Sequence, residues 1–333
     1  MLWILIVILI FVFALGATAL GLYFSGKGSL LNNESMKIDS ADSPDNLQVE
    51  QNGKNIIYNG KKYAYNENMT TILCMGVDKE SISDTSVSGL NGQADALFLY
   101  AMDTSTGQST IIPIPRDTMA EVDLYSAEGK YVSSSKKQIC LSYAYGDGKE
   151  TSCENTLKSV ERMFYGLPIN SYVAIDLKAI DIISSKVGGV KVTPTESFNY
   201  LGYYFKKGVE VNLKGEKARA YIRSRDDSKL DSSLTRMARQ KQFLTAFFGK
   251  ALEKTKKDIS FPVDVYKSAS RYMITDINVA EVSFLATAVL KGGGLTYKSI
   301  EGEMKKGEEH AEFHADSESI YNLILEVFYK PVD

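Results

Sequence analysis

Thr71-Ile72-Leu73-Cys74-Met75-Gly76-Val77-Asp78 is an apolar run of strand length that ends in a carboxylate, and the fold is read outward from it. Downstream, Ala96 to Met102 and Ser109 to Ile114 are two more such runs, with Thr104-Ser105-Thr106-Gly107 as the turn between them. Leu157, Val160, Met163 and Phe164 then recur at helical spacing over Asn155 to Tyr165, which stops at Gly166 and Pro168. Tyr172 to Ile175 is a further strand, followed by a helical pattern from Leu177 to Lys186. Val209 to Leu213 precedes a short helix, and Ala220 to Arg225 alternates as a strand. Leu234 to Lys254 is a long helix carrying Phe243, Leu244, Phe247 and Phe248, and helices over Ala280 to Leu290 and Ser317 to Phe328 close the chain. Strands and helices intermixed in this way predict an α/β/α sandwich with a central mixed β-sheet.

The chain has 333 residues, enough for two domains at about 150 residues each. From residue 67 to 333, however, the only linker-like feature is Gly292-Gly293-Gly294, which reads as the end of a helix. One folded domain is therefore expected, with a helical tail. Residues 25–66 are rich in Ser, Asn, Asp, Gly and Lys, a composition that buries too little apolar surface to offset its ordering entropy, so they read as a flexible stalk.

Ahead of that stretch, Leu2 to Phe24 runs 23 residues without a charge. As a helix it would span roughly 34 Å, enough to cross a hydrocarbon core. Residues 1–24 thus read as an N-terminal transmembrane signal-anchor. A cleavable signal peptide competes, since Ala17-Thr18-Ala19 offers small residues at the right spacing. The run is longer than a usual signal core, though, and no basic segment precedes it. The nearest cations, Lys27 and Lys37, follow the run, so flanking charge gives no orientation.

Overall charge excludes some functions. Thirty-eight Lys and Arg against 41 Asp and Glu give a net charge of −3, which does not suit a nucleic-acid binder. Two histidines exclude a His-rich metal site. His310 and His314, in a Glu-rich stretch, lack the glutamate directly after the first His that a zinc protease needs. Of the three cysteines, Cys140 and Cys153 flank a turn-rich loop and are expected to form a disulfide, while Cys74 reads as a buried thiol.

The chemistry concentrates in arginines. Tyr221-Ile222-Arg223-Ser224-Arg225 is followed by Arg236-Met237-Ala238-Arg239-Gln240. As a strand, the first segment would point Arg223 and Arg225 to one face. On a helix, Arg236, Arg239 and Gln240 stand at i, i+3 and i+4. Converging guanidinium forks suit phosphate oxygens; a solvated basic surface partnered by Asp226, Asp227 and Asp231 is the plainer reading. Pro113-Ile114-Pro115-Arg116-Asp117-Thr118 adds Arg116 where prolines fix the exit of a strand. Asp78 and Asp95 lie at strand edges, either as turn residues or as the carboxylate pair of a Mg²⁺–pyrophosphate site.

Gly76-Val77-Asp78, Ala94-Asp95, Ile114-Pro115-Arg116-Asp117-Thr118, Ser142-Tyr143-Ala144-Tyr145-Gly146, Gly188-Gly189-Val190 and the two arginine segments stand in the order seen in LytR-CpsA-Psr proteins. The sequence resembles that family over roughly residues 69 to 255, and the remainder is similar to its usual tail. The resemblance implies an enzyme anchored outside the membrane of a Gram-positive cell. Such an enzyme moves a glycopolymer, such as teichoic acid or capsule, from a polyprenyl-pyrophosphate carrier to a peptidoglycan acceptor, with no nucleic-acid partner. It implies Mg²⁺ or Mn²⁺ at Asp78 and Asp95, and a pyrophosphate grip by Arg116, Arg223, Arg225, Arg236 and Gln240. Arg239 would stand beside them and Asp117 would orient Arg116. A pyrophosphatase side activity goes with that chemistry. Gln93 stands where the family has an arginine, with Arg239 or Arg219 as possible substitutes, and Cys140-Leu141 replace its usual Asn-His. Phe164, Phe198, Phe247 and Phe248 are the candidates to line a lipid groove, with plain core as the simpler reading of each. Two other readings accompany the resemblance: a non-catalytic binder of lipid pyrophosphate or wall glycan, and a transcriptional attenuator.

Overall fold

The run that opens the sequence forms β4 (Met69–Val77), a central strand of a six-stranded mixed sheet. The sheet order is β14 (Met273–Thr275), β9 (Ser171–Ile175), β4, β5 (Ala94–Asp103), β6 (Gln108–Ile114) and β15 (Leu295–Tyr297). β4 with β9 and β6 with β15 pair parallel, and the other neighbours antiparallel. The structure, a computed structural model, describes residues 21, 23–31, 47–50, 53–82, 92–226, 228–308 and 310–332.

Side chains on the central strands alternate between two apolar faces, as a sheet covered on both sides requires. Leu73, Met75 and Val77 of β4 and Leu97, Leu99 and Ala101 of β5 join one close-packed layer. Its other side comes from α3 (Glu150–Met163) and α9 (Ser317–Phe328), through Val160, Phe164, Tyr321 and Ile324. Each such fully buried side chain contributes about 1.5–3 kcal/mol. Ile72, Cys74, Phe98, Tyr100 and Met102 face the opposite way, toward α6 (Ser232–Lys257), α7 (Phe261–Ala269) and α8 (Val279–Val289). That second face is looser and holds cavities. At its end, α4 (Leu177–Lys186) and α5 (Glu216–Arg223) pack with α6 and two short hairpins around Val187, Phe205, Leu213, Tyr221 and Phe243. Those hairpins are β10 (Val190–Val192) with β13 (Val211–Leu213), and β11 (Phe198–Tyr200) with β12 (Tyr203–Phe205). Behind α8 the chain returns to the sheet through a turn in which only glycine fits: a Cβ on Gly293 would lie 1.9 Å from the Gly107 carbonyl carbon.

Several sequence expectations need correction. Residues 47–65 are not a stalk. They form β1 (Leu47–Glu50), β2 (Asn55–Tyr58) and β3 (Lys61–Tyr65), which build a four-stranded sheet with β18 (Tyr329–Val332) at the other end of the chain. Ile56 and Tyr58 enter the main core, and Tyr65 meets Tyr329 edge to face. Their apolar side chains are few but sit at strand spacing, a pattern that an average over 42 residues dilutes. The alternating segment Ala220 to Arg225 is the end of helix α5, not a strand. Gly215, at φ 58°, opens that helix, and its buried face is Ala218 and Tyr221, spaced i, i+3. The C-terminal region is not purely helical either: it contributes β14 and β15 to the central sheet and a hairpin of β16 (Gly302–Lys306) and β17 (Ala311–Ala315). His314 sits in that hairpin beside Glu312, not on a helix with His310. Sequence periodicity also missed the exposed hairpin of β7 (Met119–Tyr125) and β8 (Tyr131–Gln138).

Cys140 and Cys153 are free thiols. The Cys140 sulfur is turned to Arg116, while Cys153 packs in α3 within the core. The proposed span Leu2 to Phe24 lies outside the described residues apart from Gly21, Tyr23 and Phe24. Among the described residues no helix is long and apolar enough to cross a membrane. Residues 23–30 form the helix α1.

Candidate functional site

Antiparallel pairing of β4 with β5 brings the end of one strand beside the start of the other, so Val77 stands opposite Ala94. That register, with a bulge between Gly76 and Val77, places Asp78 and Asp95 at the same sheet edge. Both backbone amides donate to the Gln93 carbonyl, at 3.2 and 2.9 Å. β5 pairs Leu97 with Ile114, so the chain leaving β6 passes the same edge. A turn closed by the Thr118 amide on the Pro115 carbonyl (3.0 Å) then aims Arg116 at Asp95.

Arg116 is held on every side. Its Nη1 donates to Asp95 Oδ1 and its Nη2 to Gln93 Oε1. Nη2 also lies 3.2 Å from Cys140 Sγ, and Nε 3.3 Å from Asp117 Oδ1. Asp117 is 2% exposed and accepts from Gln138 Nε2 at 3.0 Å, so its carboxylate is fixed before it meets the guanidinium. Burial works against the Arg116 charge, but Cys140, Asp95 and Asp117 outweigh it, leaving its pKa above the ordinary arginine value. Burial pushes the Cys140 thiol up to about 12, partly countered by Arg116, so it stays protonated at neutral pH. Gln93 thus accepts a hydrogen bond from Arg116 and brings no second cation to this edge. Neither Arg239 nor Arg219 supplies one, since Arg219 pairs with Glu80, Asp181 and Glu216.

From the other side, α6 presents Arg236, Gln240, Phe243, Leu244 and Phe247 as one stripe at i, i+4, i+7, i+8 and i+11. Arg236 is 5% exposed; its Nη1 donates to Asp95 Oδ2 at 2.9 Å and its Nη2 to the Asp95 carbonyl at 3.2 Å. Arg116, Asp95 and Arg236 therefore form a continuous line of ion pairs. Among the described residues Arg236 Nε has no hydrogen-bond partner although it is buried. Arg223, the last residue of α5, donates to Asp78 Oδ1 at 2.8 Å at the more open end. Gln240 Nε2 contacts the Ile222 carbonyl at 3.4 Å, and Arg225 Nε donates to Ser232 Oγ at 2.9 Å.

Arg239 does not join them. On the flank of the stripe, it pairs with Glu196 at 2.5 Å, donates to the Ser224 carbonyl and lies 4.9 Å from the centre of the Phe198 ring. Burial lowers its pKa against the pull of Glu196. It ties α6 to the neighbouring chain.

The line of ion pairs separates two different spaces. On one side a cavity of about 360 Å³ runs between the sheet and α6. Its walls are apolar (Phe98, Val173, Ile175, Ile180, Phe247), and it is polar only where Asp78, Asp95, Arg223, Arg236 and Gln240 meet. A second apolar cavity of about 300 Å³ shares Cys74 and Val173 with the first and continues beneath α6 to α7 and α8. Burial in this wall pushes the Cys74 thiol up to about 12. On the other side of Arg116 lies a polar pocket of about 530 Å³, lined by Gln93, Asp117, Arg225, Lys229, Lys306 and His310 among others. Of the four aromatic groove candidates, Phe247 lines the first cavity and Phe248 the second; Phe164 is in the opposite core layer and Phe198 under Arg239. Sequence reasoning missed Val173, Ile175, Cys140 and the lysines of the polar pocket. The period-two spacing of β9 could have given the first two.

The model of the LytR_cpsA_psr family matches residues 28–324. The polyisoprenyl-teichoic acid–peptidoglycan teichoic acid transferase TagU of Bacillus licheniformis is 30% identical over 185 residues, covering 56% of this chain and 53% of that protein. TagV of Bacillus subtilis is 29% identical over 218 residues, covering 63% of this chain and 50% of that one. The chain spans about half the length of these curated relatives. The crystal structure of B. subtilis TagV superposes with a TM-score of 0.60 at 25% identity, covering 78% of this chain and 96% of that chain.

Proposed function

The chain belongs to the LytR-CpsA-Psr family, and from that premise and the geometry of its site we propose that it transfers a glycopolymer from a polyprenyl-pyrophosphate carrier to peptidoglycan. The observation that carries this reading is the position of the Arg116–Asp95–Arg236 line, between an apolar cavity and a polar pocket. A donor made of an apolar tail, a pyrophosphate and a glycan has the same three parts in the same order. The named activity of the TagU and TagV relatives agrees with it.

In this reading the polyprenyl tail fills the cavity between the sheet and α6. The pyrophosphate lies against Arg116, Arg223 and Arg236, where the unpartnered Nε of Arg236 is one donor available to it. Gln240 adds an amide and Arg225 a cation at the polar-pocket side. A peptidoglycan hydroxyl attacks the sugar-linked phosphorus. The new O–P bond forms as the bond to the bridging oxygen breaks, and polyprenyl phosphate leaves with that oxygen. Asp78, held by one arginine and 40% exposed in its side chain, is the more open of the two carboxylates beside the reacting groups. Phosphoryl transfer of this kind depends on positioning and on neutralising charge, which fixed guanidinium groups supply. Water in place of the acceptor would give a pyrophosphatase side reaction.

The donor set suits a divalent cation. Asp78 and Asp95 line one cavity with arginines around them, and Mg²⁺ or Mn²⁺ is commonly held by one or two carboxylates with substrate phosphates and water. Among the described residues no group of three or more His, Cys, Asp or Glu could hold a metal alone, so these two aspartates would share the ion with the donor. Bound there, it would neutralise pyrophosphate charge. The uncharged run Leu2–Phe24 anchors the domain on the outer side of the membrane, where both substrates lie.

The test uses purified full-length protein, a short-chain lipid-pyrophosphate glycan, Mg²⁺ and a peptidoglycan fragment. Polyprenyl phosphate release is expected, falling at least 100-fold in Arg116→Ala and Arg223→Ala. Gln93, which brings no cation to the phosphate shell, favours a second reading as a binder. Tight lipid binding with no release in the wild type would establish that reading instead.

A further inference from the structure

Helix α1 (residues 23–30) packs along α8 through contacts that leave little slack. Tyr23 meets Phe284 with ring centres 5.2 Å apart. Gly26 approaches so closely that a Cβ there would lie 2.5 Å from the Ala280 carbonyl oxygen. Ser29 Oγ donates to Glu281 Oε1 at 2.5 Å. The other oxygen of that buried carboxylate, Oε2, accepts from the Asn278 amide at 2.7 Å, so α1 is tied into the capping box of α8. Leu30 is 1% exposed, and its carbonyl accepts from Thr70 at the start of β4.

The two faces of α8 divide cleanly. Ala280, Glu281 and Phe284 receive α1, while Val282, Leu285, Ala286 and Val289 line the second apolar cavity. One helix diameter, about 10 Å, thus separates α1 from that cavity. Tyr23 and Phe24 are also the last residues of the uncharged run. A second feature lies at the same cavity. Its wall includes Leu252, Thr255 and Pro262 at the α6–α7 corner, where Ile259, 52% exposed, follows exposed Lys256 and Lys257, the latter paired with Glu253. Cations beside an exposed aliphatic side chain suit an anionic lipid surface.

We propose that α1 clamps the domain to its anchor through α8, with the α6–α7 corner on the bilayer, so that the second cavity is the entrance through which the polyprenyl tail leaves the membrane. This rests on the membrane-anchored, lipid-donor reading above, and it makes the anchor a part of substrate delivery and not a loose tether.

The test uses the full-length chain in phosphatidylglycerol–phosphatidylcholine vesicles holding a photoreactive long-chain polyprenyl phosphate. Labelling is expected on residues of the second cavity, such as Tyr266 and Leu285. Gly26→Leu, which forces α1 off α8, should reduce that labelling at least fivefold while labelling by a short-chain water-soluble analogue stays within twofold. Ser29→Ala, a milder change, should fall between. Trypsin cleavage after Lys27 should be at least tenfold faster in Gly26→Leu than in the wild type, since a docked helix must open before it is cut. Unchanged long-chain labelling, equal loss with both probes, no cavity labelling in the wild type, or equal cleavage rates would each overturn the proposal. Neither readout requires turnover, so a failure of the transferase reading is seen separately.

Discussion

Arg236 and Arg239 show how much three residues of helix decide. Both are nearly buried, at 5% and 6% exposed. Arg236 points along the cavity stripe and shares Asp95 with Arg116, whereas Arg239 is used up by Glu196, Ser224 and Phe198. Arg236→Ala should therefore lower turnover at least 100-fold, with a modest loss of stability. Arg239→Ala should do the reverse: a stability loss of about 1–3 kcal/mol in denaturant unfolding, mainly from leaving the Ser224 carbonyl without its donor and the Phe198 ring without its cover, with turnover of the folded protein within a few-fold of wild type. The arginine spacing in the sequence could not separate these roles, because i, i+3 and i+4 place all three side chains on one broad face. Which flank is used depends on where Glu196 and Phe198 return from a distant hairpin. Cys140 is similar. Its distance from Cys153 in sequence suggested a bridge, yet its sulfur is spent on Arg116. Thiol counting under denaturing, non-reducing conditions should find three thiols, and one would contradict the structure.

At the scale of elements, the long strands and helices were legible because their apolar periodicity is their own. β4, β5, α4, α6, α8 and α9 all fall where the pattern predicts. Elements whose burial is supplied by partners far along the chain were not legible: β1 to β3 wait for β18, and β14 and β15 join the sheet from the tail. Helix α5 was misread because Ala220 to Arg225 alternates over six residues, too short a window to distinguish the two periods. The β7–β8 hairpin is half exposed and polar, so it carries little pattern, but it is pinned by one buried charge. Asp123, 2% exposed, accepts from Arg162 at 2.6 Å, Lys158 at 2.7 Å and Ser134 at 2.6 Å. Burial alone would raise its pKa, but these partners outweigh it and hold the carboxyl well below the usual range. A depressed folded-state value stabilises the protein above the unfolded value of about 3.9, and that contribution fades as pH falls below it. Asp123→Asn should cost about 3 kcal/mol at pH 7, and the difference from wild type should shrink on acidification.

Across the whole molecule, one sheet face is packed solid and the other is kept open. The closed face with α3 and α9 provides the stability; the open face with α6, α7 and α8 provides the cavities, with the arginine line where they meet polar space. Strands β1 to β3 belong to the closed side through Ile56 and Tyr58. Removing them should lower the unfolding midpoint clearly, although composition alone marks them as dispensable, and a midpoint unchanged by the truncation would refute this. The two-aspartate donor set leads to a further expectation: chelation should lower turnover at least tenfold, and Mg²⁺ or Mn²⁺ should restore it. The central claim, that the line between cavity and pocket moves a sugar phosphate from lipid to wall, is tested most directly by the mass of the product. The full-length protein, given a short-chain lipid-pyrophosphate glycan and a peptidoglycan fragment, should yield a conjugate that retains one phosphate between glycan and peptidoglycan, absent with Arg236→Ala. Unchanged peptidoglycan beside a tightly bound, intact donor would contradict it.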